Sequence, residues 1–211
     1  MAIPISRICL LAAVATLAVH APALAHHPMG GTLPQTFLQG FLSGLGHPVI
    51  GLDHLAAIIG VGILAALARR DVYPVFVFSA AFIGGVALHV AKVNLPASEL
   101  LVGLSTIAIG GLVVFRQSMG PVVAAALFAV AGLVHGYALG EAIIGAEPAP
   151  LTAYLAGLLV IQSILSLAAF AAVSNLARWP AVLRSTGLTT VGILVVLAGG
   201  VSTAYAAGLV T

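Results

Sequence analysis

Three ionisable side chains, His47, Asp53 and His54, fall within the stretch GHPVIGLDHLA (residues 46–56), whose other residues are small or apolar. Imidazole and carboxylate together, without thiolate, suit borderline divalent ions such as Ni²⁺, Co²⁺ and Zn²⁺, and suit copper(I) poorly, because it prefers sulfur. Ligand type does not separate nickel from cobalt or zinc. On a helix, His47 and His54 share one face two turns apart, and Asp53 lies about 100° round from His54. From there Asp53 can ligate an ion or hold a neighbouring imidazole in its ligating tautomer. A second polar stretch, HGYALGE (residues 135–141), sets His135 and Glu141 six apart, the interval that also separates His47 from Asp53. "GLGH" at 44–47 matches "GLVH" at 132–135, a trace of duplicated three-helix halves of the kind transporters use.

Other candidates are single groups with a plain structural alternative. His89 serves equally as a ligand or as an interhelical hydrogen-bonding group. Gln162, Ser163 and Ser166 form a polar stripe that either lines a pathway or bonds two helices. His26 and His27 would open the chain after removal of a leader, where the free amine, an amide nitrogen and the second-position imidazole can chelate a divalent ion, with Met29 nearby.

The elements that must carry these groups are membrane helices. Apolar residues make up 62% of the 211-residue chain and charged residues 6%, against about 25% charged in a soluble domain. The formal charge of +2, without a basic cluster, excludes nucleic acid as a partner. Arg7, the run ICLLAAVATLAV and the small-x-small ending APALA read as a secretory signal peptide cut after Ala25. Cys9, the one cysteine, would leave with it.

Apolar runs predict six spans near 48–68, 74–92, 98–115, 121–143, 151–173 and 187–208, a single all-α transmembrane bundle over 26–211. Pro34 to Gly46 adds a partly polar helical segment before the first span, with a break expected at His47–Pro48. With the mature N-terminus outside, Arg69, Arg70, Arg116, Arg178 and Arg184 all face the cytoplasm, and Lys92, Glu99 and Glu147 lie outside. That is the positive-inside pattern of an inner membrane protein, with Thr211 also ending outside.

Helical rise places the candidates at one depth. Asp53 precedes Arg69 by 16 residues, roughly 24 Å. His89 and His135 stand about 22 and 21 Å along their own spans, counted from Pro74 and Pro121. This is the outer half of a core about 30 Å thick. The chain lacks the G-x-x-x-x-G-K-[ST] loop, so it is not by itself a P-loop ATPase. Inward movement of a divalent cation gains about 4.6 kcal/mol per 100 mV of membrane potential, from roughly 2.3 per charge.

The segment HPVIGLDHLAAIIGVG resembles the H-P-x-x-G-x-D-H signature of the HupE/UreJ family of nickel/cobalt permeases, and HGYALGE is similar to that family's second motif. The likeness extends over the mature chain: leader, six spans, first motif in the first span and second in the fourth. It implies import of Ni²⁺ or Co²⁺ as transported substrate, with no prosthetic group, feeding hydrogenase or urease maturation. By motif it implies His47, Asp53 and His54 as site residues, and His135 and Glu141 less directly. Ala57 and Ile58 stand where the family commonly has methionine. The expected partners are the metal ion and the lipid bilayer, with a homo-oligomer left open. Two other classes use the same residue types. An intramembrane zinc hydrolase would use the histidines and Asp53 to activate water, and a bis-histidine cytochrome would pair the imidazoles on haem.

Overall fold

The computed structural model describes residues 32–68, 72–178 and 180–210. The expected leader over 1–25, His26, His27 and the Arg69–Arg70 pair lie outside these described residues. The described chain forms seven α-helices: α1 (Phe37–Ile50), α2 (Leu52–Leu67), α3 (Tyr73–Val90), α4 (Ser98–Val114), α5 (Pro121–Gly140), α6 (Pro148–Asn175) and α7 (Ala181–Ala206). Single 3₁₀ turns follow α5 (Glu141–Ile143) and α6 (Leu176–Arg178). Helix starts obey local chemistry. Thr36 caps α1 in a reciprocal box with Gln39, and proline occupies the first turn of α3, α5 and α6, where its missing N–H costs nothing.

Helices α3, α6 and α7, and α5 with its 3₁₀ turn, are each long and apolar enough to cross a bilayer. The pair α1 and α2 passes the same test as one unit bent by 82°, and α4 is a 17-residue apolar helix. Large apolar side chains such as Val122, Val130, Ile164 and Val182 are exposed along these helices, which is the surface a lipid solvent requires. The protein is a multi-pass membrane protein.

The break before α2 falls at Gly51, three residues later than the sequence suggests. Pro48 belongs to the last turn of α1 rather than to the first turn of a span. Gly51 takes extended angles (φ −73, ψ 100) while its N–H still bonds the His47 carbonyl at 3.1 Å. The final α1 turn therefore closes before the chain redirects. A Cβ at Gly51 would stand 2.8 Å from Cδ2 of His54, so glycine also admits that imidazole to the bend.

Packing rests on backbone-to-backbone approach at small residues, the usual basis of helix association in lipid. In the α3–α5 pair, Gly132 and Gly136 lie against the carbonyls of Phe78 and Phe82. Gly44 of α1 lies against the Tyr154 carbonyl of α6, and Gly103 and Gly110 of α4 face Gly199 and Gly192 of α7. These registers also give directions. Residue numbers rise together along α3–α5 and α1–α6, and in opposite senses along α4–α7. The pairing order of α1, α3 and α4 is thus repeated by α5, α6 and α7, with α1–α6 matching α5–α3 and α4–α7 matching itself. Gly44 of GLGH and Gly132 of GLVH make equivalent contacts, so the short sequence echo has a structural counterpart. Helix α2 is the segment without an equivalent. It packs on α4, α5, α6 and α7 together and is buried along most of its length.

Candidate metal-handling site

Helix α2 delivers Asp53 and His54 in its first turn, where a carboxylate is favoured by the partial positive charge of the helix N-terminus. Both are buried, at 7% and 4% exposure. Asp53 is held at both oxygens. The His54 backbone N–H donates to Oδ1 at 2.8 Å, and the Ser202 hydroxyl of α7 donates to Oδ2 at 2.7 Å.

His135 of α5 is fully buried and its Nδ1 lies 2.8 Å from Nδ1 of His54, with the rings edge to face. The proton positions follow from the surrounding bonds. Ser105 and Thr106 of α4 each donate a hydroxyl to the Val102 carbonyl at 2.9 Å. Their oxygens therefore accept from Nε2–H of His135, at 3.1 and 3.5 Å. That leaves Nδ1 of His135 as the acceptor and Nδ1–H of His54 as the donor. The Nε2 atom of His54 lies 4.0 Å from Oδ1 of Asp53. Four helices thus fix one imidazole and one carboxylate face to face.

His47 stands apart from this cluster, buried in the last turn of α1. Its Nδ1 lies 2.9 Å from the Tyr154 hydroxyl of α6, which itself donates to the Leu139 carbonyl at 2.8 Å. The hydroxyl therefore accepts from Nδ1–H of His47.

The remaining candidates are dispersed. His89 stacks on Tyr137 at 4.1 Å between ring centres and bonds the Tyr137 carbonyl through Nδ1. Tyr137 in turn bonds the chain at Val93 and Leu95, so this group ties the end of α3 to α5. Glu141 is exposed at the end of α5. Ser166 is fully buried and donates to the Ile58 carbonyl of α2 at 3.3 Å, while Ser163 is half-buried. Among the described residues, no three His, Cys, Asp or Glu side chains stand in a geometry that would hold an ion as they are.

Tyr154, Ser202, Ser105 and Thr106 hold these histidines and the carboxylate, and no sequence motif marks them. A lone hydroxyl in an apolar helix signals an interhelical bond, yet its partner depends on the packing of helices 29 to 149 residues apart.

Fold and site define an all-helical multi-pass membrane protein with a histidine–carboxylate cluster buried among α2, α4, α5 and α7. The sequence pattern of the family described as HupE / UreJ protein matches residues 14–209. Protein HupE of Rhizobium leguminosarum bv. viciae is 32% identical over 148 residues, which cover 68% of this chain and 73% of that protein. The chain belongs to the HupE/UreJ family. No solved structure matches it.

Proposed function

We propose that this protein is a permease that carries a divalent transition-metal ion, nickel or cobalt, inward across the bacterial inner membrane. The observation that carries the proposal is the opposition of His54 Nε2 and Asp53 Oδ1 at 4.0 Å inside the membrane fold. Two ligand atoms bonded to one ion at 2.0–2.2 Å stand roughly 3.3–4 Å apart, depending on the angle between them. A small shift of either side chain therefore seats an ion between them.

His135 holds His54 in the tautomer that aims Nε2 at this gap, the arrangement common around metal-ligating histidines. His47, steadied by Tyr154, offers an earlier nitrogen at the α1 end of the bend. Glu141 attracts cations at the outer mouth, and His89 is assigned to packing. Only a few ligands meet at any one point. That fits conduction, where binding must be strong enough to dehydrate the ion and weak enough to release it. A tightly closed four-ligand site would instead fit a structural or catalytic metal. The reading keeps six spans, counting α1–α2 as one bent span and α4 as another, with both termini outside and a leader removed after Ala25. Should His26–His27 open the mature chain, those residues would form a first capture point outside.

The test is uptake of radiolabelled nickel and cobalt into vesicles. Wild type should accumulate ion under a negative-inside potential, and Asp53→Asn, His54→Ala and His47→Ala should each abolish uptake while reaching the membrane in normal amount. Normal uptake by all three overturns the site. Tight stoichiometric zinc with turnover of a lipid or peptide would instead favour the hydrolase.

A further inference from the structure

Gln162 of α6 is fully buried, and among the described residues neither its amide oxygen nor its amide nitrogen has a hydrogen-bond partner. An amide taken out of water without a partner is costly, and polar groups held inside membrane segments characteristically face a cavity or a substrate path. A glutamine kept only for packing would be replaced without loss by leucine. Gln162 therefore asks for a guest.

Its place on α6 indicates which one. Tyr154, Leu158, Gln162 and Ser166 follow one another at intervals of four and are all fully buried, so they form one inward stripe. The stripe is anchored at both ends. Tyr154 bonds His47 at the end of α1, and Ser166 bonds the Ile58 carbonyl one turn beyond His54 on α2. Gln162 lies between these anchors and so faces the bend at Gly51, where α1 passes into α2. That is the stretch an ion must cross to move from His47 to the Asp53–His54 gap.

We propose that the Gln162 side chain is a hand-over ligand of the ion path. Its Oε1 takes the partly hydrated divalent cation between His47 and the Asp53–His54 pair, and its Nε2–H₂ group donates to an oxygen of the ion's water shell. A neutral amide oxygen suits this position, because a carboxylate there would hold the ion and stall it. The inference rests on the permease reading and adds a station to it.

Three variants in the full-length protein test it, with vesicle uptake of radiolabelled nickel and equilibrium binding of nickel to purified protein measured side by side. Gln162→Leu should reach the membrane with an undiminished melting temperature, because it removes a buried amide that the fold leaves unpaired. It should bind nickel within about twofold of wild type yet transport it about tenfold more slowly or worse, since the loss falls on passage between sites. Gln162→Glu should bind nickel more tightly and also transport slowly, while Gln162→Asn should restore part of the rate. Transport by Gln162→Leu at the wild-type rate overturns the hand-over ligand and leaves the permease reading standing. A Gln162→Leu variant that melts lower and is not improved by Gln162→Asn also overturns it, in favour of a packing role. Absence of nickel and cobalt uptake by the wild type overturns both.

Discussion

His135 offers the sharpest division between two ways of building this site. If it acts through His54, its task is to accept the Nδ1–H bond that fixes the His54 ring, and the ion never touches it. If it is itself a ligand, it supplies bonding to the ion directly. The expected losses of affinity overlap, so a single deletion does not separate the two. A four-ligand structural zinc site gains about 10–16 kcal/mol, roughly 3 per ligand, so loss of a true ligand such as His54 should weaken binding by about two orders of magnitude. Loss of an orienting partner typically weakens it by about 10- to 100-fold. His135→Ala should also lower stability by about 1–3 kcal/mol, because it leaves the buried His54 donor unpaired.

The decisive arms are His135→Asn and the double variant. The asparagine carbonyl can take the acceptor role of Nδ1 toward His54, so His135→Asn should keep nickel affinity within about threefold, well under the 1.4 kcal/mol of a tenfold loss. Adding His135→Ala to His54→Ala should weaken binding little beyond His54→Ala alone, since an orienting group has nothing left to orient. The assay is competition of purified protein with a nickel-binding dye, with melting temperature measured in parallel. Loss of affinity in His135→Asn as deep as in His135→Ala, together with additive losses in the double variant, refutes the orienting role and makes His135 a ligand.

Other consequences follow from single contacts. Tyr154→Phe removes the hydroxyl that holds His47, so it should slow nickel entry about 10- to 100-fold with the fold retained; unchanged uptake kinetics would count against His47 as a station. Gly51→Ala suits the backbone angles there, but its Cβ meets the buried His54 ring at 2.8 Å, so it should lower the melting temperature by the equivalent of about 1–3 kcal/mol. It should also depress nickel affinity, because the ring that gives way is that of His54. His89→Phe keeps the stack on Tyr137 and loses one hydrogen bond, so it should lower stability by about 1 kcal/mol and leave vesicle uptake intact; loss of uptake would return His89 to the ion path.

Much of this architecture is legible in the letters because lipid leaves little choice. Apolar run length and first-turn prolines locate α3, α4 and α5 to within a few residues, and the ionisable groups stand out because so few exist. The bend is harder to place, since Pro48 is the stronger local signal and yet only ends a helix that Gly51 then redirects. Helical rise puts His54, His89 and His135 in one layer, and the fold joins only the first and last. Depth fixes one coordinate of a side chain, whereas rotation about the helix axis fixes whether two of them meet. His89 turns toward Tyr137 of its packing partner, while His135, two residues before Tyr137 on the same helix, turns toward α2. No count along the chain separates those two outcomes.

Rotation also explains how one motif yields two histidine environments. His47 and His135 end the matched GLGH and GLVH segments, and each meets an aromatic ring from the partner helix at a similar tilt. The ring centres are 6.2 Å apart for His47–Tyr154 and 6.5 Å for His135–Phe78. Tyr154 has a hydroxyl and captures Nδ1 of His47. Phe78 has none, so Nδ1 of His135 accepts from the only strong donor α2 brings to it, His54. One hydroxyl oxygen, present on Tyr154 of α6 and absent from Phe78 of α3, thus decides which imidazole is tied to its packing partner and which turns to α2. An exact two-fold arrangement would hold both imidazoles alike; here one histidine is held before the bend and the other bonds the imidazole that follows Asp53 beyond it.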